Sequence, residues 1–121
     1  MILEIANMTN TRYGDDMMTN MGNQLVSNVF KAMAHPTRIQ IIKLLKEGER
    51  CVCEILPNID SEQSNTSQHL TVMRNQGLVE SRKEGSKVIY SIRNQEVHEM
   101  IDLAEKIILR QMDETKLSLK K

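Results

Sequence analysis

The sequence predicts a mostly α-helical domain that carries one small β-hairpin. Three observations predict it. Apolar residues recur at helical spacing in several separate segments, alternation replaces that spacing only between Leu78 and Ile92, and Gly or Pro punctuates most junctions. With 121 residues, 40% of them apolar, the chain suits one domain with one core.

Residues 1–22 are polar, rich in Met and Asn, and show no clean period. They read as a flexible arm, with helix beginning near Asn23. Leu25, Val29, Phe30 and Met33 then follow helical spacing. Pro36 biases His35 out of the α region and itself suits the first turn of a new helix. Ile39, Ile41, Ile42, Leu44 and Leu45 fill that second helix, and Gly48 stops it. A short helix is expected within Cys51–Ile59, in conflict with Pro57, followed by a turn at Asp60 and Ser61. The next helix runs from about Glu62 to Gln76, with Thr66, Leu70 and Met73 facing inward and Gly77 as terminator.

Beyond Gly77 the period becomes two. Leu78-Val79-Glu80-Ser81-Arg82 and Val88-Ile89-Tyr90-Ser91-Ile92 flank Glu84-Gly85-Ser86, the pattern of a hairpin with Gly in its loop. A long last helix starts at about Gln95, its apolar stripe formed by Val97, Met100, Ile101, Ala104, Ile107, Ile108 and Met112. The expected organisation is an arm over 1–22, a domain over 23–115 and a polar tail over 116–121. Two short helices around a tight turn, followed by an antiparallel hairpin, form a winged helix-turn-helix, here with about five helices and a two-stranded wing.

Composition narrows the function. Sixteen basic residues balance sixteen acidic ones, which excludes a polybasic tail acting by bulk charge. No run of 18 apolar residues exists to cross a membrane, and the opening Met1-Ile2-Leu3-Glu4-Ile5-Ala6 is too short for a secretory signal. Two cysteines do not make a secreted disulfide scaffold. Tryptophan is absent and Tyr13, Tyr90 and Phe30 are the only aromatics, too few to stack single strands. A cytoplasmic protein with no membrane partner is expected.

Local placement points to double-stranded DNA. The second helix of the helix-turn-helix presents Gln63, Ser64, Asn65, Ser67, Gln68 and Thr71, short polar side chains that can reach base edges and phosphates in a major groove. The hairpin adds Arg82, Lys83 and Lys87. Residues 61–93 hold five basic residues against three acidic, a local +2, and residues 31–50 hold five against two, a local +3. Such a polar helix can also be a merely solvated face; the adjoining hairpin with its basic tip favours DNA. His69 lies near the inward row and reads as a packed, hydrogen-bonded residue, and His35 before Pro36 reads as structural.

Four motifs in order, Ala34-His35-Pro36-Thr37-Arg38, Cys51-Val52-Cys53-Glu54, Ser67-Gln68-His69-Leu70 and Gly77-Leu78-Val79, resemble the ArsR/SmtB family of metal-sensing repressors over roughly residues 24–110. The resemblance implies a dimeric repressor whose first and last helices form the interface, and whose operator is released when metal binds. It assigns the Cys-Val-Cys motif to the arsenical and heavy-metal branch. It also places a second metal site on the last helix, where Glu96 and His98 match the first half but Leu109 and Met112 stand at the second-half positions, so that site reads as lost. No constitutive cofactor is implied.

Cys51 and Cys53 are the candidate metal ligands. Both thiols of the chain sit together beside Arg50 at an expected helix N-terminus, which favours the thiolates that bind soft ions. Small cysteines also serve as plain core hydrophobes. Residues two apart on a helix point about 200° apart, so two helical cysteines can share an ion only if the turn unwinds, and Pro57 would soften that turn. Relatives with a third cysteine have no counterpart here: none occurs in Glu54–Asp60 or in residues 1–22. A two-thiol site completed by a small thiol or solvent is expected, and As(III) or Sb(III) tolerates it better than Cd or Pb.

Three other readings compete. On the same fold, the thiols could sense oxidants or reactive sulfur by closing a small, reducible ring. A thiol enzyme would need a positioned His and a deep pocket, and none of the three histidines is patterned with the cysteines, so no enzyme is expected. An interaction module built on the last helix alone would show no salt-sensitive, sequence-specific DNA affinity.

Overall fold

The computed structural model describes residues 15–59 and 62–119. Among these residues five helices and a three-stranded antiparallel sheet make the fold, in the order α1 (Asp15–Met33), α2 (Pro36–Lys46), β1 (Arg50–Cys51), α3 (Val52–Ile55), a 3₁₀ turn (Leu56–Asn58), α4 (Gln63–Asn75), β2 (Val79–Glu84), β3 (Lys87–Ile92) and α5 (Glu96–Leu119).

Helix α1 begins eight residues before the expected Asn23, so the arm expected over 1–22 is shorter than its pattern suggested. The rest of that arm lies outside the described residues. At the other end α5 runs through residues 116–119, so the expected polar tail continues the helix.

The α1–α2 junction forms as Pro36 dictates. His35 is extended and its Nδ1 accepts a hydrogen bond from the Thr37 N–H at 3.1 Å, capping α2, while Pro36 occupies the first turn. Ile41, Ile42 and Leu45 of α2 are buried, and Gly48 leaves the helix with a positive φ of 143°. Helix α4 buries the inward row that was expected: Thr66, Leu70 and Met73 have no exposed surface. Thr66 Oγ1 donates to the Glu62 carbonyl at 3.1 Å, so its buried hydroxyl is satisfied. Gly77, at φ 75°, turns the chain into β2, with the Leu78 N–H bonded to the Met73 carbonyl.

The expected hairpin forms, with Val79 opposite Ile92 and Ser81 opposite Tyr90; its turn is Gly85 (φ 65°) and Ser86, one residue shorter than the expected Glu84-Gly85-Ser86, because Glu84 pairs with Lys87. The sheet has a strand that periodicity did not reveal. β1 pairs antiparallel with β3, Arg50 opposite Tyr90 and Cys51 opposite Ile89, giving the order β1-β3-β2. A two-residue strand is too short for an alternation signal; β3 creates it by offering a free edge.

The core joins Ala32 and Met33 of α1, the apolar row of α2, Ile55, Ile59, Leu70, Met73, Leu78, Val79, Tyr90, Val97 and Ile101. Helices α1 and α5 both pack against α2. Their outward faces stay uncovered: Met21, Leu25, Val26 and Phe30 on α1, and Leu103, Ile107, Ile108, Leu109 and Met112 on α5, are each more than half exposed.

Candidate nucleic-acid interface and thiol site

Asn65, Ser67, Gln68 and Thr71 lie exposed on α4, on the side opposite its buried row. Gln63 and Ser64 belong to the same helix, with side chains outside the described residues. Thr71 Oγ1 donates to the Ser67 carbonyl at 2.9 Å, leaving its oxygen free only to accept. A 13-residue helix with short polar side chains on its outer face has the dimensions and chemistry for a major groove.

Arg38 ties this helix to the rest of the domain. Its Nε donates to His69 Nδ1 at 3.0 Å, and its Nη1 donates to the carbonyls of Lys31 and Ala32 at the end of α1. The His35 ring stacks at a tilt on His69, with centroids 4.3 Å apart. His69 is thus packed and hydrogen-bonded, as its place near the inward row suggested. Burial, then the nearby His35 and Arg38, hold its pKa below the ordinary value. Folding therefore favours the neutral ring, and this stability is full above the unfolded value of about 6.5 and is lost as pH falls towards the lower folded value. His98, depressed by burial and Lys46 against the pull of Asp102, contributes with the same sign. On lowering pH from about 7.5 to about 5.5, thermal scans should show a larger loss of Tm for the wild type than for His69→Gln. Equal losses would remove His69 from this role.

The wing is less uniformly basic than its sequence. Arg82 makes a two-pronged pair with Glu49, at 2.6 and 2.7 Å, and a third contact with Glu84 at 3.1 Å. That hydrogen bonding holds Glu49 below the usual carboxylate range and pushes the Arg82 pKa further up. Lys83 and Lys87 are exposed and have no carboxylate partner among the described residues. A phosphate must therefore compete with Glu49 for Arg82 but not for either lysine. Glu49→Gln is expected to tighten DNA binding at low salt and to steepen the salt dependence by about one unit of slope, the signature of one added phosphate contact. Fluorescence anisotropy over a salt series measures both, and an unchanged slope would take Arg82 out of the phosphate set.

The cysteines lie where β1 turns into α3. Cys51 ends β1 with φ −75° and ψ 160°, an extended residue that caps α3, and its N–H donates to Glu54 Oε1 at 3.2 Å. Only Cys53 is helical. Their Cα atoms are 5.2 Å apart and their sulfurs meet as a disulfide. This overturns the expectation that both stand on a helix, about 200° apart, and that an ion must unwind the turn. Pairing with Ile89 pulls Cys51 into the extended conformation, so both sulfurs face the same way with α3 intact. Pro57 falls in the 3₁₀ turn after α3 has ended, where it interrupts no helix, and the softening role built on unwinding goes with it. Cys51 is buried and Cys53 exposed. Together with Val52, Ser86, Lys87 and Val88 they line an open cleft of about 200 Å³, so the thiol pair adjoins the turn of the wing.

A family model described as bacterial regulatory protein, arsR family, matches residues 35–81, from the cap of α2 into β2. The HTH-type transcriptional regulator Rv0081 of Mycobacterium tuberculosis is 41% identical over 88 residues, 72% of this chain and 77% of that one. The chain belongs to the arsR family of bacterial regulatory proteins. The crystal structure of Rv0081 matches with a TM-score of 0.70 at 39% identity, covering 76% of this chain and 93% of that one. A homodimeric winged helix-turn-helix DNA-binding domain from Mycobacterium bovis matches with a TM-score of 0.69 at 27% identity, covering 87% and 94%. Some of the relatives are named for metal resistance. The cadmium resistance regulator CadC of Listeria innocua is 34% identical over 71% of this chain and 73% of its own. The arsenical resistance operon repressor of Escherichia coli is 42% identical over 53% and 56%.

This arsR-family chain is thus a winged-helix transcriptional regulator and not an enzyme. None of its helices among the described residues is long and apolar enough to cross a membrane. Of the second metal site that the resemblance placed on the last helix, His98 is buried in the fold, while Leu109 and Met112 are exposed and apolar. No group of three His, Cys, Asp or Glu side chains among the described residues could hold a metal. The donors that converge are the two sulfurs, and once reduced they fit a soft ion that accepts two protein thiolates. Sequence reasoning missed Glu49, Glu84 and Arg38. Glu49 and Arg38 have partners far along the chain, 33 residues for Glu49 and Arg82 and 31 for Arg38 and His69, where no periodicity connects them, while Glu84 meets Arg82 from two residues away on the same strand.

Proposed function

We propose that this regulator is a homodimeric repressor that leaves a near-palindromic operator when As(III) or Sb(III) is bound by Cys51 and Cys53. The observation that carries the reading is that both thiols of the chain converge at one cleft and adjoin the wing. The relatives named for cadmium and arsenical resistance support it, as does the donor count. Two protein sulfurs suit a trivalent metalloid better than Cd or Pb, which favour richer sulfur sets.

Release follows from the position of the cleft. One wall is the start of α3 and the other is the wing turn at Ser86 and Lys87. An ion with its substituents between them displaces the wing relative to α4, so ion and operator each weaken the other's binding. The apolar faces of α1 and α5 supply the dimer surface, and the homodimeric Mycobacterium bovis neighbour supports that assembly. Two α4 helices then reach half-sites about one helical turn apart.

The test is operator release, followed by anisotropy under reducing conditions with arsenite, antimonite, cadmium, lead and zinc. Arsenite and antimonite should release the wild type at the lowest concentrations. Cys51→Ser and Cys53→Ser should each bind operator as the wild type does yet lose release by arsenite. Release that survives both substitutions would refute the site.

A second reading is favoured by the disulfide itself. Two thiols in bonding reach can give up two electrons and two protons to a peroxide, which is reduced to water and an alcohol or a second water. Thiol counts before and after peroxide, paired with operator affinity, separate the two: a redox sensor changes affinity without added ion, and an ion sensor does not.

A further inference from the structure

We infer that the cleft at Cys51 and Cys53 also seats a carboxylate-bearing small thiol, which donates the third sulfur to the trivalent ion and is held by the Lys87 ammonium. The inference rests on the soft-ion reading proposed for these cysteines.

Three observations converge on it. The chain has two cysteines, and no third His, Cys, Asp or Glu among the described residues gathers with them, so a three-coordinate ion must take its last donor from outside. The cleft, about 200 Å³, is several times the ~30 Å³ that one water occupies in the liquid, more room than a lone hydroxide fills. The third observation is the distribution of charge around it. Arg50 is paired with Glu47 and Glu54, and Arg82 with Glu49 and Glu84. Lys87, in the wall of the cleft, has no carboxylate partner among the described residues. The charge left for a guest is therefore positive, which selects an anionic substituent over a neutral or cationic one.

The remaining wall suits the rest of such a molecule. Val52 and Val88 offer apolar contact to the methylene carbons between thiol and carboxylate, and the Ser86 hydroxyl can donate to the second carboxylate oxygen. The chemistry balances without a change of oxidation state at arsenic. Two equivalents of the small thiol first reduce the Cys51–Cys53 disulfide and leave as their own disulfide. Arsenous acid then exchanges its three hydroxyls for the two protein sulfurs and one sulfur of the guest. Three As–O bonds break, three As–S bonds form, and each thiol proton departs with a hydroxide as water.

The experiment uses the full-length reduced protein without DNA. Arsenite is titrated in the presence of mercaptoacetate, mercaptoethanol or cysteamine, an anionic, a neutral and a cationic thiol, and the ultraviolet sulfur-to-arsenic charge-transfer absorbance is followed. Apparent affinity for arsenite should be about tenfold higher with mercaptoacetate than with mercaptoethanol, the scale of one contact to a charged group, and lowest with cysteamine. Lys87→Met should bring mercaptoacetate and mercaptoethanol together, and Lys87→Arg should restore their order. A band that forms with no preference among the thiols, or a preference that persists in Lys87→Met, overturns the co-ligand while leaving the two-cysteine site standing. Absence of a band with every thiol overturns the soft-ion reading and the co-ligand with it.

Discussion

A double variant, Phe30→Glu and Ile108→Glu, is expected to sediment as a monomer and to bind a complete operator 10²- to 10⁴-fold more weakly than the wild type, the range lost when two linked contacts become independent. Phe30 and Ile108 belong to the nine large apolar residues on α1 and α5 that, among the described residues, stand more than half exposed. So many large apolar side chains on two helix faces mark an association surface, and a carboxylate buried there without a partner strongly opposes assembly. Neither residue is in the core, so each chain should keep its helical content and melt cooperatively. Analytical ultracentrifugation and anisotropy on full and half operators measure the two effects. A variant that remains dimeric, or a monomer that binds the full operator undiminished, would show that the faces serve another purpose.

The second large effect concerns stability. Leu70→Ala should lower the unfolding free energy by about 2–5 kcal/mol, because the side chain is wholly buried where α4 meets α2 and β2, and its loss leaves a cavity. Against a total of roughly 5–15 kcal/mol, the melting temperature should fall by on the order of 10 °C or more. The exposed Gln68, two residues away on the same helix, should behave in the opposite way. Gln68→Ala should alter stability by no more than about 0.5 kcal/mol, yet cost roughly 1–3 kcal/mol on particular operator bases. Denaturant melts and binding to operator variants check the pair. Equal losses on operator and random DNA would remove Gln68 from base reading.

The two outcomes separate what α4 does by face. Its inward row holds the helix on the core, with Arg38 and His69 fixing its position against the end of α1. Its outward row is free for a groove. The wing is built differently: its turn borders the thiol cleft, and its arginine, Arg82, is held by Glu49, the residue just ahead of Arg50 and Cys51. Wing and thiol pair are thus joined both by strand pairing and by an ion pair, and the sensing chemistry proposed here acts through that connection.

Periodicity along the chain was enough to place most of the helices, the hairpin, the inward row of α4 and the polar row opposite it. Those features depend on neighbours within a few residues, where backbone geometry and burial act together. The same local logic placed Pro36, Gly48 and Gly77 at junctions and brought Cys51 and Cys53 forward as a pair. Tertiary structure alone decided three things. It extended Cys51 into a strand by giving it Ile89 as a partner, and so brought the sulfurs together without disturbing α3. It neutralised Arg82 with Glu49, and it set Lys87 beside the thiols. Each joins residues more than thirty positions apart, and contacts at that separation follow from how the elements pack, on which the local pattern is silent.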